Sequence, residues 1–269
     1  MNTTVQPIGI FDSGAGGLSV LKELVKLLPK ESFIYFADSA NCPYGQKNQS
    51  EIIKLANAIV QFLIGNNVKL IVVACNTATA AAIDFLRERY SIPFIGMEPA
   101  IKPASLNTKT KSIGVLATAG TFKGRLYAET SKKYASNIKI CYKVGEGLVE
   151  LVENGHPDSP EAVKLLHKYV DPMLACKIDH LVLGCTHYPF LINAIKQIAP
   201  PNLTIIDPAP AVAKQTKKIL EERGLINKNI PASINFYSSG KTDVIKNIIN
   251  LFEVVPNGIP MKFADNITL

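Results

Sequence analysis

Two cysteines in this chain close apolar runs and open onto polar residues. Cys75 ends Leu70-Ile71-Val72-Val73-Ala74 and precedes Asn76-Thr77. Cys185 ends Leu181-Val182-Leu183-Gly184 and precedes Thr186-His187. Each reads as a strand handing over to a helix start, with Pro189 near the start of the second helix, where proline is tolerated. Free backbone N–H groups and the helix dipole at such a place favour an anion. They also lower a thiol pKa from about 8.5 toward neutrality. A cysteine after a buried strand can equally be a small core residue, but two in matched settings weaken that explanation for both.

Two thiols across a cleft have three chemistries open to them. They can join as a redox pair. One can be a nucleophile if a histidine serves as its base. Or they can flank a carbon and exchange its proton from opposite faces. The third needs two acid–base groups of matched strength, one ionised and one protonated. Identical residues on related strands meet that condition, and the reaction then needs no cofactor.

Carboxylates and a histidine stand where they could assist. Asp12 ends an early strand, on the sheet edge expected for Cys75, though it could also be a turn cap ahead of Ser13-Gly14. His187 lies two residues past Cys185 and could serve that half, or cap a helix on the surface. Glu150 and Glu153 share one expected helical turn, where a solvated face is the plainer reading. Gly14-Ala15-Gly16-Gly17 follows a strand but lacks the full dinucleotide fingerprint, so it is expected to cradle a carboxylate rather than a phosphate. Ser239-Gly240-Lys241-Thr242 resembles the end of a nucleotide-binding loop, but Asn235 stands where that loop needs glycine, which rejects an NTPase.

The elements that must position these groups alternate along the chain. Expected strands are Pro7–Asp12, Phe33–Ala37, Leu70–Ala74, Pro93–Met97, Ser112–Ala117, Ile138–Tyr142, His180–Gly184, Leu203–Asp207 and Ile234–Tyr237. Expected helices are Leu18–Leu28, Glu51–Ile64, Thr77–Tyr90, one after Thr121, Glu161–Cys176, Pro189–Ile198, Pro210 to about Arg223, and Asp243–Phe252. That order argues for parallel sheets covered by helices on both faces. Two internal echoes divide the chain. Ile8-Gly9-Ile10-Phe11-Asp12-Ser13 resembles Ile113-Gly114-Val115-Leu116-Ala117-Thr118, and the Cys75 run resembles the Cys185 run. Two similar α/β domains, each with a cysteine at the end of a central strand, is the economical reading. Ligands of open α/β sheets sit beyond the carboxyl ends of the strands, which would put one cysteine on either side of a shared cleft.

Bulk composition narrows the classes. Hydrophobic residues at 47% and charged residues at 19% describe an ordinary globular chain. The net charge of +7 comes from scattered residues such as Lys132-Lys133 and Lys217-Lys218, with no basic run interleaved with aromatics. Nucleic acid is therefore not an expected partner. The longest uncharged apolar run, Leu70–Ile83, contains Asn76, Thr77 and Thr79 and falls short of the roughly 20 residues of a membrane helix. The start, Met1 to Gln6, has no basic leader region, so a cytoplasmic location is expected. Five cysteines (Cys42, Cys75, Cys141, Cys176, Cys185) include no C-x-x-C, which argues against a disulfide framework. No metal site is expected, because the four histidines show no ligand spacing. On the residues alone, an amino-acid-binding protein with inert core cysteines stays open beside an enzyme.

The blocks Phe11-Asp12-Ser13-Gly14-Ala15-Gly16-Gly17, Ala37-Asp38-Ser39, Pro43-Tyr44-Gly45, Val73-Ala74-Cys75-Asn76-Thr77-Ala78 and Leu183-Gly184-Cys185-Thr186-His187-Tyr188-Pro189 occur in order along the chain. Together they resemble the glutamate racemases of the aspartate/glutamate racemase superfamily. Aspartate and hydantoin racemases share the pattern around the cysteines. The resemblance implies two pseudo-symmetric α/β domains, 1–97 plus 209–269 and 98–208, with glutamate in the cleft between them. It implies that Cys75 is the base toward D-glutamate and Cys185 the base toward L-glutamate, with no cofactor. Asp12, Glu153 and His187 match assisting residues. Asp12, Ser13, Tyr44, Gly45, Asn76, Thr77, Thr186 and His187 match positions that bind substrate or tune the thiols. A homodimer, and a product feeding peptidoglycan synthesis, are implied as well. Ala15 stands where valine is common, and Cys42 adds a third thiol near the expected cleft.

Overall fold

The computed structural model describes residues 3–228 and 232–269. Residues 1–2 and 229–231, which fall inside the expected first domain, lie outside it. The chain begins with β1 (Ile8–Asp12), α1 (Leu18–Leu27), β2 (Phe33–Ala37), α2 (Gln49–Gly65), β3 (Leu70–Val73), α3 (Asn76–Arg89) and β4 (Phe94–Gly96). It continues through α4 (Ile101–Asn107), β5 (Ser112–Ala117), α5 (Ala119–Lys123), α6 (Arg125–Tyr134), β6 (Lys139–Val144), α7 (Leu148–Glu153), α8 (Pro160–Leu174), β7 (His180–Gly184), α9 (Ile192–Ile198) and β8 (Thr204–Ile206). It ends with α10 (Ala209–Glu222), β9 (Ile234–Ser238), α11 (Asp243–Leu251) and β10 (Met261–Ala264).

Two sheets result, and every strand pair in both is parallel. The first has the order β10-β9-β2-β1-β3-β4 and the second β6-β5-β7-β8. The core of the first, β2-β1-β3-β4, has the same order as the whole of the second. In each, the chain leaves the lead strand to one side and returns on the other. That reversal opens a crevice beyond the carboxyl ends of β1 and β3, and likewise of β5 and β7.

The strands are continuous apolar runs because helices cover both faces. Side chains alternate between the faces. Ile8, Ile10, Leu70 and Val72 pack with α1 and α10 on one side. Phe11, Ile71 and Val73 pack with α2 and α3 on the other. A fully buried aliphatic side chain of this kind contributes about 1.5–3 kcal/mol, so the strand register is strongly specified. Asx and hydroxyl caps start two of the longer helices: Asn48 Oδ1 accepts from Glu51 N at 2.9 Å for α2, and Ser159 Oγ accepts from Ala162 N at 3.2 Å for α8.

Three features differ from expectation. α4 and β10 were not expected. α4 is short and carries Pro103, and β10 is an exposed, half-polar edge strand, so neither has a strong periodic signal. The helix expected over Pro189–Ile198 is instead a 3-10 turn at Tyr188–Leu191 followed by α9. No helix among the described residues is long and apolar enough to cross a membrane.

Candidate active site

A small, partly open pocket, about 10 Å³ in volume, is lined by residues that follow strands of both sheets. Cys75, Asn76 and Thr77, from the β3–α3 junction, line it from the first sheet, with Ser13 after β1. Cys185, Thr186 and His187, after β7, line it from the second, with Thr118 after β5. Tyr44 and Gly45 come from the loop between β2 and α2, where the Cys42–Pro43 peptide is cis. Asp12 and Glu153 do not line the pocket and stand behind its wall. A larger cavity of about 900 Å³ lies elsewhere, near β4, α4 and α10, and contains neither cysteine.

Cys75 caps α3, where its sulfur accepts from Ala78 N at 3.4 Å, and its thiol faces Ser13 Oγ at 3.8 Å. The expected lowering of its pKa does not hold. Burial, joined by the negative charge of Asp12 and by Cys185, pushes the Cys75 thiol well up, and the Ala78 N–H only partly offsets this. Cys185 does not sit at the start of an α-helix, because the 3-10 turn intervenes. Its polar neighbour is His187, with Sγ to Nδ1 at 3.8 Å.

The glycine loop explains how Asp12 and Glu153 are held. Gly14 N and Gly17 N both donate to Asp12 Oδ2, at 3.2 and 3.0 Å. Ala15 N donates to Glu153 Oε1 at 2.7 Å. The loop does cradle carboxylates, but they belong to the protein. Glycine is needed here for close approach: a Cβ at Gly16 would stand 2.3 Å from His187 Nδ1, and one at Gly14 would stand 2.1 Å from Glu153 Oε1. Thr186 Oγ1 reaches Asp12 Oδ1 at 3.4 Å. Burial raises the Asp12 pKa, against the lowering influence of His187 and the Gly17 N–H.

Far from being a surface cap, His187 is buried. Its Nε2 meets Glu153 Oε1 at 2.6 Å. Burial lowers its pKa, but hydrogen bonds with Cys185, Cys42 and Glu153 outweigh that and leave it well above the ordinary value. An imidazolium results, donating through both nitrogens. Glu153 is the complement: burial raises it, but the His187 and Ala15 bonds outweigh this and hold it below the usual carboxylate range. Glu153 thus turns inward, whereas Glu150 is exposed. Cys42 also points at Glu153, with Sγ to Oε1 at 3.8 Å, and burial pushes its thiol up to about 11.

Cys42, Glu153 and His187 have donor types found in metal sites, and their ligand atoms lie within 4.8 Å of one another. In the free protein hydrogen bonds join them, with Glu153 Oε1 between His187 Nε2 and Cys42 Sγ.

Apart from the His187 imidazolium, the polar groups that line the pocket are neutral, and among the described residues none of them is lysine or arginine. Asn76 stands out: it is buried, and neither its Nδ2 nor its Oδ1 has a partner. A buried amide left unsatisfied costs about 1–3 kcal/mol, so it is poised for a polar ligand. Thr118 was not anticipated as a site residue. Its hydroxyl lies 2.8 Å from Thr77 Oγ1 and 2.9 Å from Thr121 Oγ1, a chain of hydroxyls that joins the two halves. The internal echo contained the signal, because it aligns Thr118 with Ser13.

Comparison with known proteins places this geometry. The Asp/Glu/Hydantoin racemase family model matches residues 8–216. The glutamate racemase of Herpetosiphon aurantiacus is 47% identical over 236 residues, covering 87% of this chain and 93% of that one. A crystal structure of glutamate racemase from Bacillus anthracis superposes with a TM-score of 0.86 at 33% identity, over 98% of this chain and 99% of that one. Glutamate racemase from Francisella tularensis, solved in complex with D-glutamate, gives 0.85 at 31% identity, over 98% of each chain. The chain belongs to the glutamate racemase family, within the Asp/Glu/hydantoin racemases.

Proposed function

We propose that this chain racemises glutamate, without a cofactor, by two-base proton transfer at Cα between Cys75 and Cys185. The observation that carries the reading is that both thiols line one pocket from opposite sheets. A carbon held between them can lose its proton to one sulfur and gain another from the opposite side. One thiolate becomes a thiol and one thiol a thiolate, so charge and protons balance and the stereocentre is inverted. Cys75 is the base toward D-glutamate and Cys185 the base toward L-glutamate.

The supporting groups divide the work. His187, held by Glu153, stands beside Cys185. Asp12 raises the proton affinity of Cys75 and reaches the pocket wall through Thr186. The free protein keeps Cys75 protonated, and a substrate ammonium in the pocket would offset the Asp12 charge that raises it. Ser13, Tyr44, Gly45, Asn76, Thr77, Thr186 and His187 bind glutamate, with Thr118 added to them. Neutral donors, backbone N–H groups and the His187 imidazolium suit the carboxylates of glutamate.

The same reading divides the chain into 1–97 plus 209–269 and 98–208, supported by the way β9 and β10 join the first sheet. A homodimer in a bacterial cytoplasm, supplying D-glutamate for peptidoglycan, completes it and rests on the family. The test is circular dichroism of L-glutamate with purified protein and no added cofactor. Decay of the signal to zero is expected. An unchanged signal overturns the reading, and decay of L-aspartate in place of L-glutamate moves the substrate.

A further inference from the structure

We propose that Ser239 is a positioning residue for this reaction, holding Asp38 so that Asp38 in turn holds Tyr44 against the pocket. The proposal rests on the reading of Tyr44 as a substrate contact.

Asp38 follows β2 and is buried. Its Oδ2 accepts from the Tyr44 hydroxyl at 2.5 Å. Its Oδ1 accepts from Asn41 Nδ2 at 2.9 Å and from Ser239 Oγ at 2.7 Å. The Ser239 hydroxyl has a second partner: its oxygen accepts from Ala40 N at 3.0 Å. One side chain thus grips both the carboxylate and the backbone of the turn that leads into Pro43-Tyr44-Gly45. Ser239 N donates to Ala37 O at 3.1 Å, which fixes Ser239 itself to the end of β2.

That brace is anchored from behind. Gly240 N donates to Ser238 Oγ at 3.1 Å. Asn266 N donates to Gly240 O, and Ile267 N to Ser238 O, each at 2.8 Å. A Cβ on Gly240 would stand 3.4 Å from Ser39 Cβ, so the two turns are in close contact. The Ser239-Gly240-Lys241-Thr242 run, rejected as a nucleotide loop, here acquires a role in the same site.

Tyr44 depends on this support because it sits in a loop. Burial, with the Asp38 charge beside it, pushes its phenol far up, so the hydroxyl stays protonated and donates to Asp38. Hydrogen bonds to a charged group are the stronger kind, and the link fixes the ring where it lines the pocket. Releasing Ser239 leaves Asp38 Oδ1 to Asn41 and takes the acceptor from Ala40 N, which loosens the loop.

The test is steady-state kinetics on glutamate for Ser239→Ala, Ser239→Thr, Tyr44→Phe, Tyr44→Ala and the Ser239→Ala/Tyr44→Phe double variant, with thermal unfolding of each. Ser239→Ala is expected to raise KM roughly three- to tenfold with a smaller change in kcat. Ser239→Thr keeps the hydroxyl and restores most of the loss. In the Tyr44→Phe background, Ser239→Ala is expected to add less than about twofold. An unchanged KM in Ser239→Ala overturns the proposal, as do two effects that multiply fully or a fall in unfolding temperature with no change in KM. Tyr44→Ala separates the two failures. If it leaves KM unchanged, the reading of Tyr44 is wrong; if it raises KM while Ser239→Ala is silent, only the role of Ser239 falls.

Discussion

Glu153 Oε1 lies 2.6 Å from His187 Nε2 and 2.7 Å from Ala15 N, so one carboxylate oxygen ties α7 to both the Cys185 turn and the glycine loop of the first sheet. The two halves therefore meet through a charged, buried contact directly behind the pocket. Ser19 Oγ donating to Thr186 O at 2.9 Å reinforces it.

The pair sets a pH dependence. The His187 pKa is raised, so its contribution to stability is full below the ordinary histidine value and is lost as pH rises through the raised one. The Glu153 pKa is depressed, so its contribution is present above the ordinary carboxylate value and is lost as pH falls through the depressed one. Glu153→Gln weakens support for the imidazolium and lowers its pKa. The alkaline limb of kcat/KM against pH is expected to move to lower pH, with activity reduced about tenfold or more. An unmoved limb contradicts this.

Gly16→Ala places a methyl carbon 2.3 Å from His187 Nδ1. The imidazole must shift or the loop must open. Urea unfolding is expected to show a loss of about 1–3 kcal/mol, and kcat is expected to fall at least about tenfold because the His187–Cys185 contact is displaced.

Asn76→Ala separates stability from binding. The amide has no partner in the free protein, so its removal is expected to leave the ligand-free unfolding temperature unchanged or higher. KM for glutamate is expected to rise about tenfold or more. A stability loss with unchanged KM would show that Asn76 serves the fold.

Lys69 and Glu31 form a buried pair at 2.5 Å, far from the pocket, and Lys69 also donates to Leu225 O at 2.8 Å. Lys69→Met leaves Glu31 buried and uncompensated. Urea unfolding is expected to show a loss of about 3–5 kcal/mol, with kcat per folded molecule unchanged.

Much of this arrangement was legible in the sequence. Cys75 and Cys185 close apolar runs, and the internal echo foretold two similar parallel sheets. What was not legible depends on contacts distant in sequence. Glu153 on its own turn looks like a solvated residue, and only the approach of Ala15 and His187 makes it a buried acid. His187 looked like a cap for the same reason. The raised thiol pKa of Cys75 was not legible because the helix N-terminus is a local feature, whereas burial and the Asp12 charge come from the fold. Thr118 was within reach, since the internal echo already sets it against Ser13. Ser239 was not, since its partner Asp38 lies on the far side of the chain.

The central claim is that two bases, and not one, handle the proton. The direct measurement is the racemisation of L-glutamate in deuterated water, followed over the first few per cent of conversion by mass spectrometry of each enantiomer. The expected result is D-glutamate carrying deuterium at Cα while the remaining L-glutamate carries none, because the arriving proton comes from a different, solvent-exchanged thiol. D-glutamate that retains the hydrogen of the starting L-glutamate would mean that a single base returns what it took, and would contradict the account.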